Sequence, residues 1–369
     1  MSSAKVIISG GGTGGHIFPA IAIANALKQA DAGVEILFVG AEGKMEMEKV
    51  PAAGYRIVGL PVIGINRKIL SAKNLSVPLK LLTSMKKAAA IVGDFAPDVV
   101  IGVGGYASAP TLWAAQRKGI PTLIQEQNSY AGLTNRLLAK RTKKICVAYD
   151  GMERFFPAAK IIFTGNPVRQ DLNSVAQLRG EAIERFGLRP DKKTILVVGG
   201  SLGARTLNLS VLRYIADIAA AQDVQLIWQT GEFYGKDIQC RIAGGGYENV
   251  KVMSFVKRMD YAYAAADVVI SRAGASAISE LYVVKKPCIL VPSPNVAEDH
   301  QTANAMALVR KNAALLLPDS RAIEQLIPLA LQLAGDEEKK KELAHNIGEL
   351  AVENAAGRIA EEATRLIMK

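Results

Sequence analysis

The stretch from Ile7 to Ala20 holds the residues best suited to chemistry. It reads Ile-Ile-Ser-Gly-Gly-Gly-Thr-Gly-Gly-His-Ile-Phe-Pro-Ala, so a short apolar run ends in a glycine-rich turn and a helical pattern follows. Glycine lets a ligand approach the main chain, and the unpaired amides at a helix start attract phosphate. His16 lies at the edge of this turn and is a candidate general base, because imidazole titrates near neutral pH.

Two other interpretations of this turn stay open. Gly10-x-Gly12-x-x-Gly15 also fits a dinucleotide fingerprint, which expects a carboxylate at the end of the second strand. The second strand pattern, Glu35–Gly40, ends without one, and Glu42 lies two residues beyond. A purely structural strand-to-helix turn is the other alternative, and His16 weighs against it.

Further loops with glycine or polar residues follow other strand patterns. They are residues 102–110, 125–132, 199–205, 271–280 and 292–305. Considered without the neighbouring loops, Glu280 is most simply interpreted as a carboxylate on the surface of a helix. Ligands of parallel sheets bind at the carboxyl ends of the strands, so loops clustered there predict a site.

The order of elements predicts an α/β protein with two doubly wound parallel sheets. Strand patterns lie at 5–9, 34–39, 55–59, 97–103, 121–125, 144–148 and 160–163, and again at 194–198, 224–229, 250–254, 267–270, 287–291 and 313–317. Helical patterns alternate with them, the first over 17–29 with Pro19 in its first turn. Residues 194–205 repeat the opening order of strand, glycine loop and helix, which indicates two nucleotide-type domains.

Composition restricts the class of protein. Half of the 369 residues are hydrophobic, and no apolar stretch approaches the roughly 20 residues of a membrane span. The first apolar run is short and ends in glycine, which does not fit the pattern of a secretory signal. Three cysteines without metal or redox spacing favour a reduced, cytoplasmic protein. Residues 1–165 carry a net charge of +10 and residues 166–369 carry +1, so the first half is expected to meet an anionic partner.

The segment from Lys49 to Gly93 contains no acidic residue. We expect an ordered helix to begin near Pro78, with Leu79 and Leu82 on the side opposite Lys80 and Lys87. One interpretation is a helix packed on the sheet with a solvated basic face. The other is attachment to an anionic membrane surface through basic and apolar side chains, with Arg67 and Lys68 contributing.

In their order along the chain, several motifs resemble those of the MurG family of peptidoglycan N-acetylglucosaminyltransferases. They are residues 11–16, 104–106, 126–128, 131–135, 165–169 and 199–205, with Arg272-x-Gly274-Ala275 and Glu280. The similarity covers nearly the whole chain. It implies a GT-B fold, with two doubly wound domains facing across a cleft: an acceptor and membrane domain at 1–165, a donor domain at 166–350, and a last helix at 351–369 returning to the first.

The resemblance also implies a reaction, in which GlcNAc moves with inversion from UDP-GlcNAc to the C4 hydroxyl of MurNAc in lipid I. No cofactor, metal or nucleic acid is implied, and the protein would lie on the cytoplasmic face of the bacterial inner membrane. Val256 would meet the uracil, Glu280 the ribose, and Ser201, Arg169 and the helix start at Ala275 and Ser276 the diphosphate. The sugar or the acceptor would contact Thr13, Gly14, Gly15, Asn128 and either His300 or Gln301. His16 is the candidate base and Glu126 the next.

Three rival functions remain. A UDP-GlcNAc 2-epimerase would share the fold and the nucleotide but would not need the basic, apolar segment at 49–93. A nicotinamide-dependent oxidoreductase would lack its strand-end carboxylate. A membrane-binding module without catalysis would leave the polar loops and His16 without a role.

Overall fold

A computed structural model describes residues 3–62, 77–296 and 299–368, which divide into two compact units. The first comprises Met1–Arg169 with Val352–Lys369, and the second comprises Gln170–Ala351. The chain thus changes unit at Arg169 and again at Val352, compared with expected boundaries at 165 and 350.

The first unit is built on a parallel sheet of seven strands, in the order β3-β2-β1-β4-β5-β6-β7. The strands are β1 (Lys5–Ser9), β2 (Glu35–Ala41), β3 (Arg56–Leu60), β4 (Val99–Gly102), β5 (Thr122–Glu126), β6 (Lys144–Val147) and β7 (Ile161–Phe163). The helices between them are α1 (Gly14–Ala30), α2 (Glu46–Ala52), α3 (Val77–Phe95), α4 (Ser108–Arg117) and α5 (Leu133–Leu138). Short 3-10 helices follow at Met152–Arg154 and Ala158–Lys160.

The second unit has a parallel sheet of six strands, in the order β10-β9-β8-β11-β12-β13. The strands are β8 (Lys193–Val198), β9 (Val224–Gln229), β10 (Val250–Met253), β11 (Val268–Ser271), β12 (Cys288–Leu290) and β13 (Leu315–Leu316). After a 3-10 helix at Gln170–Leu178, the helices are α6 (Arg179–Arg185), α7 (Arg205–Arg213), α8 (Ile215–Ala220), α9 (Gly235–Ile242), α10 (Met259–Ala265), α11 (Ala275–Val284), α12 (His300–Val309), α13 (Asp319–Gly335) and α14 (Glu337–Gly348).

The last helix, α15 (Ala355–Ile367), belongs to the first unit and packs against α1. Ile359 and Ala363 lie fully buried in the same cluster as Ile17 and Ile23. Burial of an isoleucine side chain contributes about 1.5–3 kcal/mol, so this contact holds α15 to the first unit.

The predicted fold class, with two doubly wound parallel sheets, is confirmed. Each predicted strand has a counterpart, since short β-branched runs that end at glycine or a polar cluster are strong local signals. Helix α1 begins three residues earlier than predicted, because the Thr13 carbonyl already accepts from the amides of His16 and Ile17 at 3.1 and 3.2 Å. Pro19 therefore lies in the second turn, where the Gly15 carbonyl loses its intrahelical donor.

Helix α3 begins at Val77, next to the proline that was expected to mark its start. Its buried face consists of Ser84, Ala88 and Val92, whereas Leu79 and Leu82 are 70% and 58% exposed. The two leucines therefore do not pack on the sheet in this unit.

The buried carboxylate of Glu46 holds the first glycine loop in place. Glu46 is 1% exposed and lies in the first turn of α2. Its two oxygens accept from the Gly12 amide at 3.1 and 3.0 Å, and Oε1 also accepts from the Ala41 amide at 2.9 Å. A turn without regular pairing thus gains acceptors for amides that would otherwise be unsatisfied.

We expect Glu46→Ala to lower the free energy of unfolding by about 2–4 kcal/mol, because two amides lose their charged acceptor and a cavity remains. Urea denaturation measures this change. Glu48→Ala is the matched control on the same helix, since that side chain is exposed and forms a surface ion pair with Lys49. Coincident unfolding curves for the two variants would contradict this role of Glu46.

Candidate active site

The first glycine loop joins the carboxyl end of β1 to α1 and places His16 in the first turn of that helix. His16 is partly buried, while Gly12 and Thr13 are exposed. Thr13 is the N-cap, and its side chain caps no amide of the helix. The Thr13 side chain therefore does not occupy the backbone amides at the start of α1, and such amides are the groups that bind anions at a helix start.

The second glycine loop packs directly on the first, main chain against main chain. The Gly11 amide donates to the Gly104 carbonyl at 3.3 Å. Gly105 has a φ of +84°, and a Cβ there would lie 2.3 Å from the Gly11 carbonyl oxygen. A Cβ on Gly104 would lie 2.8 Å from Cε1 of His16, so the imidazole ring lies against this loop. Only glycine permits this approach.

The third loop of the first unit is organised by Glu126, at the end of β5. Glu126 is 2% exposed, and burial raises the pKa of its carboxyl group, while hydrogen bonds from the following loop lower it in part. The donors are the Asn128 and Gly132 amides at 3.0 and 3.1 Å and the side chains of Asn128 and Asn135 at 3.3 and 2.8 Å. This arrangement favours a structural role for Glu126 over the catalytic role that the sequence left open.

Gln127 connects this third loop to the first. Its Oε1 lies 3.1 Å from Nδ1 of His16. The structure thus brings together His16, the turn at Thr13–Gly15 and the loop that carries Asn128. Sequence reasoning did not single out Gln127 for this role, and only the neighbouring polar residues indicated that the loop had a function.

In the second unit, the loop after β8 presents Ser201 to solvent and packs against the end of β9. Gly203 has a φ of +88°, and a Cβ there would lie 2.1 Å from the Thr230 carbonyl oxygen. The loop therefore has the same kind of close main-chain packing as the first one. Arg169, the other predicted diphosphate ligand, is the last residue of the first unit and is partly buried.

Helix α11 begins at Ala275, with three residues between it and the end of β11, and carries Ser276 in its first turn. Its N-cap is Gly274, which has ordinary extended angles, φ −69° and ψ 146°. A Cβ on Gly274 would meet no described atom within 4 Å. Neither backbone conformation nor packing among the described residues requires glycine here, although serine or aspartate would cap the helix better.

Glu280 lies one and a half turns into α11 and accepts a hydrogen bond from the hydroxyl of Tyr263 at 2.9 Å. Tyr263 is 3% exposed and belongs to α10. The Tyr263 contact orients the Glu280 carboxylate, and a carboxylate group can accept several hydrogen bonds. Tyr263 could not be predicted from sequence, because its spacing from Glu280 carries no motif.

The backbone amide of Val256 donates to Oε1 of Gln229 at 2.9 Å, and Nε2 of Gln229 donates to the Gly200 carbonyl at 3.1 Å. Because the Val256 amide is used in this contact, the Val256 carbonyl is the backbone group of that residue that could accept a hydrogen bond from a ring N–H.

The side chain of Gln301 is also oriented by a hydrogen bond. Its Oε1 accepts from the Ser293 amide at 2.8 Å, so its NH₂ group points away from that contact. His300 is the first residue of α12 and is partly buried.

Arg272, part of the motif at 272–275, is held within the second unit by Asp319. The two form an ion pair, and Arg272 also donates to the Val291 carbonyl at 3.1 Å. Asp319 accepts from the Thr206 hydroxyl at 3.0 Å as well. Asp319 therefore links the first turn of α7 to Arg272 in the loop after β11, and Arg272 in turn reaches the segment after β12, a connection that the sequence did not reveal.

Lys80 and Lys87, two of the predicted membrane residues, lie on α3. Lys80 is exposed, and Nζ of Lys87 pairs with Oε1 of Glu42 at 2.8 Å. Arg67 and Lys68 lie outside the described residues. Along the described parts of the chain, every helix is too short or too polar to cross a bilayer.

Within residues 3–62, 77–296 and 299–368, no three His, Cys, Asp or Glu side chains form a group that could hold a metal ion.

Comparisons with known proteins agree with this architecture. Residues 6–147 match the glycosyltransferase family 28 N-terminal domain, and residues 194–359 match the C-terminal domain of that family. The chain is 57% identical over 369 residues to a UDP-N-acetylglucosamine--N-acetylmuramyl-(pentapeptide) pyrophosphoryl-undecaprenol N-acetylglucosamine transferase of Parabacteroides distasonis, covering 100% of both chains. It is 57% identical to the enzyme of the same name from Bacteroides fragilis, over 98% of this chain and 95% of the relative.

Among solved structures, the crystal structure of Acinetobacter baumannii MurG is similar, with 28% identity and a TM-score of 0.76. The match covers 98% of this chain and 99% of that one. The resemblance expected from the motifs is thereby confirmed. Because both domain families match in order and relatives are more than half identical along their whole length, the chain belongs to glycosyltransferase family 28, together with the MurG enzymes.

Proposed function

We propose that this protein transfers GlcNAc from UDP-GlcNAc to the C4 hydroxyl of MurNAc in undecaprenyl-diphosphate-linked lipid I, forming lipid II for peptidoglycan synthesis. The observation that carries the proposal is the 57% identity over the full length of a transferase named for this reaction. Through peptidoglycan, the activity would serve cell shape and cell division.

The second unit is proposed to bind the donor. Ala275 and Ser276 are the first residues of α11, and the backbone amides at a helix start bind phosphate. Ser201 and Arg169 would add a hydroxyl and a cation to the diphosphate. Glu280, oriented by Tyr263, would accept from the ribose hydroxyls, and the Val256 carbonyl would accept from N3–H of uracil. The NH₂ group of Gln301, with His300 beside it, would contact the sugar.

The first unit is proposed to bind the acceptor, with its diphosphate or sugar at Thr13–Gly15 and Asn128. Inversion requires the acceptor oxygen to attack the anomeric carbon as the bond from that carbon to UDP breaks. His16 would take the hydroxyl proton, and the charge that develops on UDP would be stabilised by amides, Arg169 and the helix dipole of α11.

The test is to incubate purified protein with UDP-GlcNAc labelled in the sugar and a short-chain lipid I analogue. We expect labelled disaccharide product, and His16→Ala should lower kcat by about 10²–10⁴-fold, since general-base catalysis contributes that much. Binding of UDP should not change. His345→Ala is the control, because that histidine is exposed on α14. Conversion of the donor to its 2-epimer without transfer would overturn the proposal. If His16→Gln keeps near-native kcat, His16 only positions a substrate.

Gly274 offers a way to test the donor site separately from folding. The position has room for a methyl group among the described residues, and its backbone angles suit any residue. A glycine in this place is explained if a phosphate approaches the main chain closely.

We therefore expect Gly274→Ala to weaken UDP binding at least tenfold, about 1.4 kcal/mol, with the free energy of unfolding changed by no more than about 1 kcal/mol. Calorimetric titration with UDP measures the first quantity and urea denaturation the second. Gly335→Ala is the matched control, because a Cβ there also meets no described atom within 4 Å. Native UDP affinity in Gly274→Ala would place the diphosphate elsewhere.

We also propose that the first unit attaches peripherally to the cytoplasmic face of the inner membrane. Leu79, Leu81 and Leu82 are 70%, 45% and 58% exposed on the first turns of α3, beside Lys80. Exposed leucines with neighbouring lysines suit an anionic bilayer surface, where each cation contributes about 1 kcal/mol. The net charge of +10 over residues 1–165 supports the same attachment.

Vesicles that contain anionic lipid should bind the protein, and added salt should weaken binding through screening. Changing four basic residues to Gln should lower vesicle affinity at least tenfold and keep activity on a soluble acceptor; they are Arg67, Lys68, Lys80 and Lys87. The control changes four exposed cations of the second unit, namely Lys236, Arg241, Arg321 and Lys341. Equal loss of binding in the two variants would show that net charge, and not this segment, is responsible.

A further inference from the structure

Three buried amide side chains form a hydrogen-bonded network beneath His16. They are Gln125, Gln127 and Asn166, with exposures of 0%, 2% and 8%. Burial of amides is costly unless they are hydrogen-bonded, so a network in this position is expected to have a defined geometry.

Two backbone carbonyls determine which way these amides point. Nε2 of Gln127 donates to the Val103 carbonyl at 2.7 Å, and Nδ2 of Asn166 donates to the Gln127 carbonyl at 2.9 Å. Because a carbonyl oxygen can only accept, the NH₂ groups of both side chains must lie on those sides.

The remaining contacts agree with this orientation. Nε2 of Gln125 donates to Oδ1 of Asn166 at 2.7 Å, and Oε1 of Gln125 accepts from Nε2 of Gln127. Oε1 of Gln127 therefore faces His16, whose Nδ1 lies 3.1 Å away. An amide oxygen accepts only, so Nδ1 of His16 must carry the proton in this contact.

We infer that Gln127 is a positioning residue that holds the proton of His16 on Nδ1 and thereby makes Nε2 the basic nitrogen. The hydrogen bond of one ring nitrogen sets the protonation of the other. Gly104 supports the geometry, because its main chain lies against the ring. The catalytic consequence rests on the proposed function, whereas the tautomer itself does not.

The neutrality of the partner matters for a base. A carboxylate next to Nδ1 would also stabilise the imidazolium ion and raise the pKa of the histidine. An amide oxygen fixes the tautomer without adding a charge. Gln127 therefore leaves Nε2 as the basic nitrogen and does not stabilise the imidazolium ion as a carboxylate would.

The experiment is nitrogen-15 NMR of the full chain labelled at its three histidines, at a pH where imidazole is neutral, with His16→Gln used for assignment. We expect wild-type His16 to carry its proton on Nδ1. In Gln127→Met the population should shift toward the Nε2–H form, because the acceptor on Nδ1 is gone. In the transfer assay, kcat should fall about 10–100-fold, the range found when the partner that orients a metal-bound histidine is removed, with the KM for UDP-GlcNAc little changed.

Gln116→Met is the matched control. Gln116 is a partly buried amide of the same unit that donates to Thr122, Leu138 and Thr142, at 3.1–3.2 Å. Its loss should lower stability without altering the His16 spectrum. An Nε2–H signal for His16 in the wild type would overturn the inference, as would a Gln127→Met spectrum identical to the wild type. An Nδ1–H signal in a protein that transfers no GlcNAc would contradict the proposed function and leave the tautomer assignment standing.

Discussion

The geometry of the first unit depends on one close contact between main chains, where Gly105 meets Gly11. A Cβ on Gly105 would lie 2.3 Å from the Gly11 carbonyl oxygen, so any side chain there would force the loops after β1 and β4 apart. His16 follows one of these loops and its ring lies against Gly104 of the other. The close packing of these glycine loops therefore determines where the imidazole of His16 lies.

Buried polar side chains then hold loops that have no regular pairing. Glu46 accepts from the Gly12 amide of the first loop, and Glu126 accepts four hydrogen bonds within the third. Asp319 and Gln229 connect loops in the second unit in the same manner. Charged and amide acceptors suit this purpose, because a buried N–H without an acceptor costs about 1–3 kcal/mol.

The two units share the same arrangement of strands around their first strand. In each sheet the first strand of the unit lies between the second and the fourth strands of that unit, β2 and β4 around β1 and β9 and β11 around β8, and a glycine loop follows it. The units differ in the residues that their helices carry: α1 has His16 in its first turn, whereas α11 follows Gly274 and has Glu280 in its second turn. This difference matches the proposed division between an acceptor unit with a base and a donor unit that holds a nucleotide diphosphate.

The sequence by itself determined the strands, the glycine loops and the family, because these depend on local patterns. β-Branched runs that stop at glycine predict strand ends, and the ordered motifs from Gly11 to Glu280 indicate glycosyltransferase family 28. Tertiary structure alone decided the partners of the site residues. Gln127, Tyr263 and Asp319 reach His16, Glu280 and Arg272 from distant parts of the chain, and no spacing rule relates them. Tertiary packing likewise buried Ser84 and Ala88 of α3 while leaving Leu79 exposed, since the face that meets the sheet is set by the neighbouring elements and not by periodicity alone.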